Sequence, residues 1–301
     1  MNPPHPPLPT ADGLRPETIR EAWLAGREHL LASRIDAAGL EAEVLLRHVL
    51  GASRSGLYLA WEQPLSDEAW SRFRALLTER VGGRPVPYLT GHREFMGLDL
   101  QVDERVLIPR PDTEILVELL LHVLRDRPAP RIADVGTGSG AIAVALAAYL
   151  PEAEILATDF SAPALMVAAV NVQRHGVERR VRLAQGDLLA PVLGAGWAGL
   201  DAVASNPPYV DAEAAPQLPR EIREHEPSMA VLDPGGGTSF HARLVSEAPE
   251  VLAPGGWLAM EVAAGQAPQV VELFEQAGRY GPVRVVRDLQ GIERVVAAER
   301  R

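Results

Sequence analysis

A glycine-rich turn between a strand and a helix constrains this fold more than any other feature of the sequence. The run from Asp134 to Gly140 (DVGTGSG) lies at the end of the apolar run RIADV and precedes the helical segment AIAVALAAYL. Glycines let the backbone turn tightly and let a ligand approach the main chain without a Cβ in the way. The pattern therefore predicts a strand–turn–helix unit whose turn binds a ligand.

From residue 131 onward, short apolar runs alternate with segments long enough for helices. The runs are RIADV, EILAT, VRLAQ, LDAVAS and GWLAMEV. Such alternation is typical of a parallel sheet covered by helices on both faces. The tail VRVVRDLQGIERVVAA has two β-rich segments around a turn and predicts a closing antiparallel hairpin. We expect an α/β fold with a Rossmann-like sheet.

The part of the chain before this sheet has a different texture. Residues 1–15 are rich in proline and predict a flexible lead. Residues 16–82 predict a helical domain, because segments such as EAEVLLRHVL carry apolar residues at helical spacing. Residues 83–114 combine Gly, Pro and alternating apolar residues and predict a hairpin-like connector, which leaves 115–301 for the sheet domain.

Composition excludes several function classes. The chain has no cysteine, which removes disulfides, cysteine-ligated metals and thiol nucleophiles, and its eight histidines show no ligand spacing, so no metal site is expected. A net charge of −11 speaks against a stable nucleic-acid partner, which calls for a basic surface. Since no apolar run approaches the roughly 18 residues of a membrane span and the start does not resemble a signal peptide, we expect a cytoplasmic protein without a membrane partner.

The acidic residues around the glycine turn indicate which nucleoside binds. Asp159 ends the run EILATD, 19 residues after Gly140, where its carboxylate can accept from both ribose hydroxyls. The spacing GxGxG, with Asp134 just before it, disfavours the pyrophosphate of a dinucleotide and tolerates a cationic ligand such as a sulfonium. We therefore predict S-adenosylmethionine rather than NAD. Asp187, after VRLAQ, lies where the exocyclic amine of adenine could be bound.

The tetrapeptide Asn206-Pro207-Pro208-Tyr209 after the run LDAVAS indicates the chemistry. Its prolines stiffen the backbone, so the Pro207 carbonyl and the Asn206 side-chain oxygen become two fixed acceptors for an –NH₂ group. Such acceptors orient a planar nitrogen toward a methyl donor and stabilise the positive charge that develops on it. Tyr209 adds a flat apolar wall. The pattern predicts methylation of an amide or aromatic amine.

The sequence resembles the peptide chain release factor glutamine-N5 methyltransferases, the PrmC/HemK family. The resemblance rests on GTGSG at 136–140, NPPY at 206–209 and the connector REF…VLIPRPDTE from Arg93 to Glu114, and it covers nearly the whole chain from about residue 16. It implies a class I methyltransferase fold and transfer of a methyl group to the glutamine amide of the Gly-Gly-Gln motif in class-1 release factors. It also implies that the helical front domain helps to bind the release factor.

The resemblance also implies roles for individual residues. The S-adenosylmethionine contacts would be Gly136, Thr137, Gly138, Ser139, Gly140, Asp159, Leu188 and Asn206. Asn206, Pro207, Pro208 and Tyr209 would hold the glutamine, with Asn206, Pro207 and Tyr209 acting in the transfer itself. The chain departs from the family pattern at Leu188, which is aromatic in some members, and at Thr238, where many relatives have Asp-Gly.

Two other functions stay open on the sequence alone. A nucleic-acid amino-methyltransferase acting on adenine N6 or cytosine N4 shares the NPPY motif, but it would have to extrude its base into the same pocket. A non-catalytic adaptor that only binds S-adenosylmethionine is the alternative from another class, and the intact NPPY argues against it. Glu226 and Glu261 could line the substrate mouth, although solvated or structural roles are the favoured interpretation.

Overall fold

The computed structural model describes residues 15–301. The predicted flexible lead over 1–15 therefore lies, apart from Arg15, outside the described residues. The chain divides into two compact units with the boundary between Gly91 and His92. Across the described part of the chain, no helix combines the length and apolar character needed to span a membrane.

Between residues 15 and 91 the chain folds into helices around one apolar core. The helices are α1 (Ile19–Ala32), α2 (Ala38–Leu50), α3 (Arg54–Leu59), α4 (Asp67–Val81) and α5 (Val86–Thr90). Helix α1 begins with a capping box, in which the Thr18 hydroxyl accepts from the Glu21 amide and the Glu21 carboxylate accepts from the Thr18 amide. The predicted helical N-terminal region is confirmed.

The core of this unit requires a glycine inside α1. A Cβ on Gly26 would lie 2.6 Å from the Cζ atom of Phe73, which projects from α4. The Phe73 ring is completely buried, so it has little room to give way. The two helices therefore approach each other closely at this point, and glycine is retained although it lowers helix propensity.

The second unit opens with the hairpin of β1 (His92–Phe95) and β2 (Leu98–Gln101). The connector predicted as a hairpin over 83–114 thus forms a hairpin over only part of that range. Helix α5 precedes it, and α6 starts at Pro111. Both helices have proline in the first turn, where its fixed φ favours a helix and its missing N–H is not needed.

The remaining strands build one large sheet and one small one. They are β3 (Arg131–Val135), β4 (Glu154–Asp159), β5 (Val181–Gln185), β6 (Leu200–Ser205), β7 (Val210–Asp211), β8 (Leu232–Asp233), β9 (Leu252–Glu261), β10 (Arg284–Arg287) and β11 (Glu293–Glu299). The large sheet has the order β10-β11-β9-β6-β3-β4-β5. Its strands pair in parallel from β5 to β9, and β11 joins β9 and β10 by antiparallel pairing. The predicted closing hairpin is confirmed.

Helices cover both faces of this sheet. The helices of this unit are α6 (Pro111–Leu124), α7 (Ala141–Tyr149), α8 (Ala162–Arg174), α9 (Ala190–Gly194), α10 (Arg220–His225), α11 (Ser228–Val231), α12 (Ser239–Glu247) and α13 (Ala267–Ala277). Residues of α6, α7 and α8 share one apolar core with the sheet, and residues of α9, α12 and α13 share the other. Successive strand residues alternate between the two, as with Ile132 and Ala133. The predicted Rossmann-like α/β fold is confirmed.

We expect Gly26→Ala to lower the free energy of unfolding by about 1–2 kcal/mol, although alanine favours a helix by up to about 1 kcal/mol. The added methyl group would overpack the contact with Phe73. Gly39→Ala in α2 is the matched control, because a Cβ there has its nearest neighbour at 3.7 Å. Urea unfolding of both variants measures the difference; equal stability of the two would contradict the close approach of α1 and α4.

Candidate active site

The candidate site lies at the carboxyl ends of the parallel strands, where the order of the strands along the chain changes direction. Strand β3 has β4 on one side and β6 on the other, an arrangement that opens a crevice beyond the strand ends. Val135 pairs with Ser205 in this register, and the glycine turn and Asn206 follow directly. A Cβ on Gly136 would lie 4.0 Å from the backbone oxygen of Asn206. The structure thus brings together the two motifs singled out in the sequence.

The glycine turn has a backbone that favours glycine at three positions. Gly136, Gly138 and Gly140 have φ angles of 74°, 54° and 81°. A Cβ on Gly138 would meet no heavy atom within 4 Å, so this side of the turn is open to a ligand. A Cβ on Gly140 would lie 3.3 Å from the Cβ of Ala168, so this glycine also lets α7 pack closely against α8.

Asp134 is completely buried and holds the glycine turn through hydrogen bonds. Its Oδ2 accepts from the Thr137 hydroxyl at 2.6 Å and from the Ala143 amide in the first turn of α7 at 3.1 Å. Its Oδ1 is buried without a hydrogen-bond partner among the described residues. Burial raises the pKa of Asp134 to about 7. Because the Thr137 hydroxyl donates its proton to Asp134, a cofactor contact by Thr137 would involve its backbone.

Ser139 is also buried, and its carbonyl oxygen accepts from the side-chain amide of Asn171 at 2.8 Å. The same amide donates to the Gln101 carbonyl, and the Asn171 oxygen accepts from the Gln101 amide. Asn171 thus ties the glycine turn to strand β2. Sequence analysis missed this residue, since nothing in its helical neighbourhood marks a polar side chain as buried.

Asp159 lies beside the turn at the end of β4. Its Oδ2 accepts from the Gly138 amide and its Oδ1 from the Ser161 amide, both at 2.8 Å. Burial raises the pKa of Asp159, while these backbone hydrogen bonds act to lower it. Each carboxylate oxygen keeps a further lone pair, so Asp159 can hold the turn and still accept from a diol.

The structure places Asp187 and Leu188 after β5, with other contacts than sequence analysis anticipated. Asp187 is half-exposed and accepts two hydrogen bonds from the Arg243 guanidinium, at 3.1 and 2.7 Å. Leu188 has a φ of 44°, and its carbonyl accepts from the Thr158 hydroxyl at 3.2 Å. The adenine contact predicted for Asp187 depended only on its position after β5, and that position does not reveal the ion pair with Arg243.

The Asn206–Tyr209 turn is held by a chain of side-chain hydrogen bonds. Asn206 Nδ2 donates to the Thr113 hydroxyl at 3.2 Å, and that hydroxyl donates to Glu261 Oε2 at 2.5 Å. The Tyr209 hydroxyl donates to the other oxygen of the same carboxylate at 3.2 Å. Glu261 thus connects both ends of the tetrapeptide, a structural role that sequence analysis allowed for without naming these partners.

Two acceptors of this turn stay unused. Neither the Asn206 side-chain oxygen nor the Pro207 carbonyl accepts a hydrogen bond from any described residue. The Tyr209 carbonyl, in contrast, accepts from the Gln266 side chain, which also donates to the Gly237 carbonyl. The backbone of the turn is therefore anchored at Tyr209 while its first two residues keep their acceptors available.

The carboxylate that links the turn lies in a low-dielectric environment. Burial raises the pKa of Glu261 to about 7, because the residue is only 2% exposed. Burial together with the neighbouring Glu261 also raises the pKa of Tyr209. The phenol therefore stays protonated and serves as a hydrogen-bond donor.

The RPDTE segment (110–114) forms the start of α6 and is held by ion pairs and hydrogen bonds. Arg110 pairs with Glu226, which also accepts from the Ile108 amide. Asp112 pairs with Arg294, at 3.0 Å. The Glu114 carboxylate accepts from the Met96 amide in the hairpin between β1 and β2, at 2.8 Å. Among the described residues of this segment, Thr113 is the one whose side chain forms a hydrogen bond with the Asn206–Tyr209 turn.

Replacing Asp134 with asparagine should flatten the pH dependence of stability. Since its folded pKa is raised from an ordinary value of about 3.9, the wild-type carboxyl favours folding at low pH, and this contribution is lost as the pH rises to about 7. Asparagine does not titrate. We expect the wild type to lose about 1–3 kcal/mol more than the variant between pH 5 and pH 7.5, measured by urea unfolding without ligand. An equal loss in both would contradict a protonated Asp134.

Comparison with known proteins places the chain in a family. The family described as PrmC N-terminal domain matches residues 21–91, and the Methyltransferase small domain matches residues 113–238. A release factor glutamine methyltransferase of Moorella thermoacetica is 42% identical over 284 residues, which cover 94% of this chain and 99% of that protein. Another, of Bordetella pertussis, is 44% identical over 256 residues and covers 85% of this chain and 93% of that protein.

A solved structure shares the fold at much lower identity. The hMettl16 catalytic domain in complex with MAT2A 3′UTR hairpin 1 superimposes with a TM-score of 0.57 at 15% identity, covering 78% of this chain and 81% of that chain. This likeness concerns the fold alone. The relatives of higher identity span both units and both motifs of the site. The chain therefore belongs to the family of release factor glutamine methyltransferases.

Proposed function

We propose that the chain transfers a methyl group from S-adenosylmethionine to the side-chain amide nitrogen (N5) of the glutamine in the Gly-Gly-Gln motif of class-1 peptide chain release factors. The observation that carries this proposal is the pair of unused acceptors on Asn206 and Pro207 beside the open glycine turn. Support also comes from release factor glutamine methyltransferases that align with nearly the whole chain.

The residues at the strand ends fit the proposed cofactor. The open side of Gly138 admits a ligand against the main chain, and Asp159 has lone pairs left for ribose hydroxyls. Asp134 Oδ1 is buried without a hydrogen-bond partner among the described residues, and a positive charge nearby would favour the ionised form of this carboxyl. S-adenosylmethionine, when bound, supplies an electrophilic methyl carbon on a sulfonium. The residues proposed to bind it are Gly136, Thr137, Gly138, Ser139, Gly140, Asp159, Asp187, Leu188 and Asn206.

The substrate amide would be oriented by the first two residues of the Asn206–Tyr209 turn. The Asn206 oxygen and the Pro207 carbonyl accept the two N–H groups of the glutamine amide, which fixes its nitrogen in one place. Positive charge develops on that nitrogen during attack, and both acceptors stabilise it. Pro208 keeps the turn rigid, and the Tyr209 ring, whose hydroxyl is held by Glu261, forms an apolar wall.

No strong base has to act before the attack. The amide nitrogen becomes acidic only after it has received the methyl group, and its proton then leaves to water. Glu261 is no simple proton acceptor for this step, because both its oxygens already accept hydrogen bonds from Thr113 and Tyr209. The site thus acts by orientation and charge complementarity rather than by general base catalysis.

Fewer observations support a nucleic acid as the substrate than support a release factor. The RNA-bound structure resembles this chain at 15% identity, which concerns the fold alone, and a net charge of −11 disfavours a polyanionic substrate. A non-catalytic adaptor would have no need for two unused acceptors next to the open glycine turn. We propose a release factor as the protein partner, no stable nucleic-acid partner, and the cytoplasm, where translation ends, as the place of action.

Transfer of a radiolabelled methyl group tests the substrate directly. The purified chain should label a purified class-1 release factor, and it should not label the same factor with the Gly-Gly-Gln glutamine changed to alanine. Duplex DNA and structured RNA serve as competing substrates in parallel reactions. Label on the alanine form, or on nucleic acid alone, would overturn the glutamine assignment.

Two substitutions in the site should separate transfer from cofactor binding. Asn206→Ala removes an acceptor that acts on the developing charge, so kcat should fall at least about 100-fold with a small change in the Kd for S-adenosylmethionine. Asp159→Ala removes an acceptor for the ribose, so Kd should rise roughly 10-fold or more, as expected for hydrogen bonds to a charged group. Calorimetry and initial rates measure both; near-normal turnover by Asn206→Ala would contradict the proposed role of its side chain.

A further inference from the structure

The Asn206 amide has a defined direction because its partner can only accept. The Thr113 hydroxyl has a single proton, which it donates to Glu261 at 2.5 Å. Its oxygen can then only accept a hydrogen bond from Asn206, so the group facing Thr113 at 3.2 Å is the Asn206 nitrogen. The Asn206 oxygen is thereby left on the opposite side, where no described residue donates a hydrogen bond to it.

The start of this chain of hydrogen bonds is fixed by Glu261. Above its raised pKa of about 7, Glu261 is an ionised carboxylate that only accepts, so both hydroxyls that contact it, those of Thr113 and Tyr209, have to donate. Thr113 is 4% exposed and Glu261 2%, so water does not offer an equivalent partner to either. A buried carboxylate without such donors would be strongly destabilised.

The direction of the amide matters for the proposed reaction, on which this inference rests. With its oxygen toward the substrate, Asn206 accepts from the glutamine –NH₂. With the amide turned over, Asn206 would present a second –NH₂ group, and donor would face donor. The wrong direction would also place a partly positive group next to a nitrogen that becomes positive in the transition state.

We propose that Thr113 and Glu261 are positioning residues, which through the chain Glu261–Thr113–Asn206 select the amide direction that catalysis requires. Neither residue touches the substrate in this proposal. Thr113 acts on Asn206, and Glu261 acts on Thr113 while holding Tyr209 at the other end of the turn.

Thr113→Val tests the proposal, and Thr113→Ser is its matched control. Valine keeps the shape of threonine but cannot take part in the chain, whereas serine keeps the hydroxyl. We expect Thr113→Val to lower kcat about 10-fold, which corresponds to about 1.4 kcal/mol in activation free energy. The KM for the release factor and the Kd for S-adenosylmethionine should stay within about twofold, and Thr113→Ser should restore most of the rate.

A spectroscopic readout makes the test independent of activity. The chain contains three asparagines, Asn2, Asn171 and Asn206. Side-chain ¹⁵N labelling of asparagine therefore gives a spectrum with three –NH₂ groups, in which Asn206→Ala identifies the signal of Asn206. This signal should shift in Thr113→Val and stay close to its wild-type position in Thr113→Ser, while the signal of Asn171 is unchanged in both.

A wild-type kcat in Thr113→Val would overturn the inference. An equal loss in Thr113→Ser would do the same, and so would an Asn206 –NH₂ signal that Thr113→Val leaves in place. A loss that follows weaker S-adenosylmethionine binding would indicate a merely structural role and overturn it as well. Failure of the wild type to methylate the release factor would instead contradict the proposed function, and the –NH₂ signal would still test the hydrogen bond.

Discussion

The parallel pairing of β3 with β6 is the constraint on which the site depends. In this register Val135 lies opposite Ser205, so the residues that follow the two strands have to share one crevice. The glycine turn and Asn206 are separated by about 70 residues of chain, and the pairing of these strands brings the Cβ position of Gly136 to 4.0 Å from the backbone oxygen of Asn206. Strand pairing thus positions the proposed methyl donor and acceptor sites before any side chain contributes.

Buried carboxyl groups then give this crevice its electrostatic character. Asp134 lies under the glycine turn and Glu261 behind the Asn206–Tyr209 turn, and burial raises the pKa of each to about 7. Each accepts hydrogen bonds that fix a neighbouring segment, the start of α7 in the first case and Thr113 and Tyr209 in the second. The site is therefore built on acceptors, which suits a reaction in which a cation delivers its methyl group and nitrogen gains positive charge.

The residues at the strand ends were predictable from local sequence patterns, whereas the contacts between residues far apart in the chain were not. The strand–turn–helix pattern around Gly138 and the acid at Asp159 are set by a few neighbouring residues, and the structure places both at the crevice. The contact of Asn206 with Thr113 spans 93 residues, and that of Thr113 with Glu261 spans 148. The periodicity of a sequence does not indicate which distant residues pair. The ion pair of Asp187 with Arg243 was unpredictable for the same reason. The segment boundaries and cofactor contacts that the sequence suggested stay predictions.

The hydrogen bonds of Asn171 bear on how the two units can be exchanged between proteins. Strand β2 is joined to the glycine turn through this one side chain, so the hairpin belongs mechanically to the sheet unit although it precedes the first strand of the sheet. A chimera that received a foreign helical unit would have to be joined ahead of His92. A junction after the hairpin would strip Asn171 of two partners and leave its buried amide half satisfied beneath the turn.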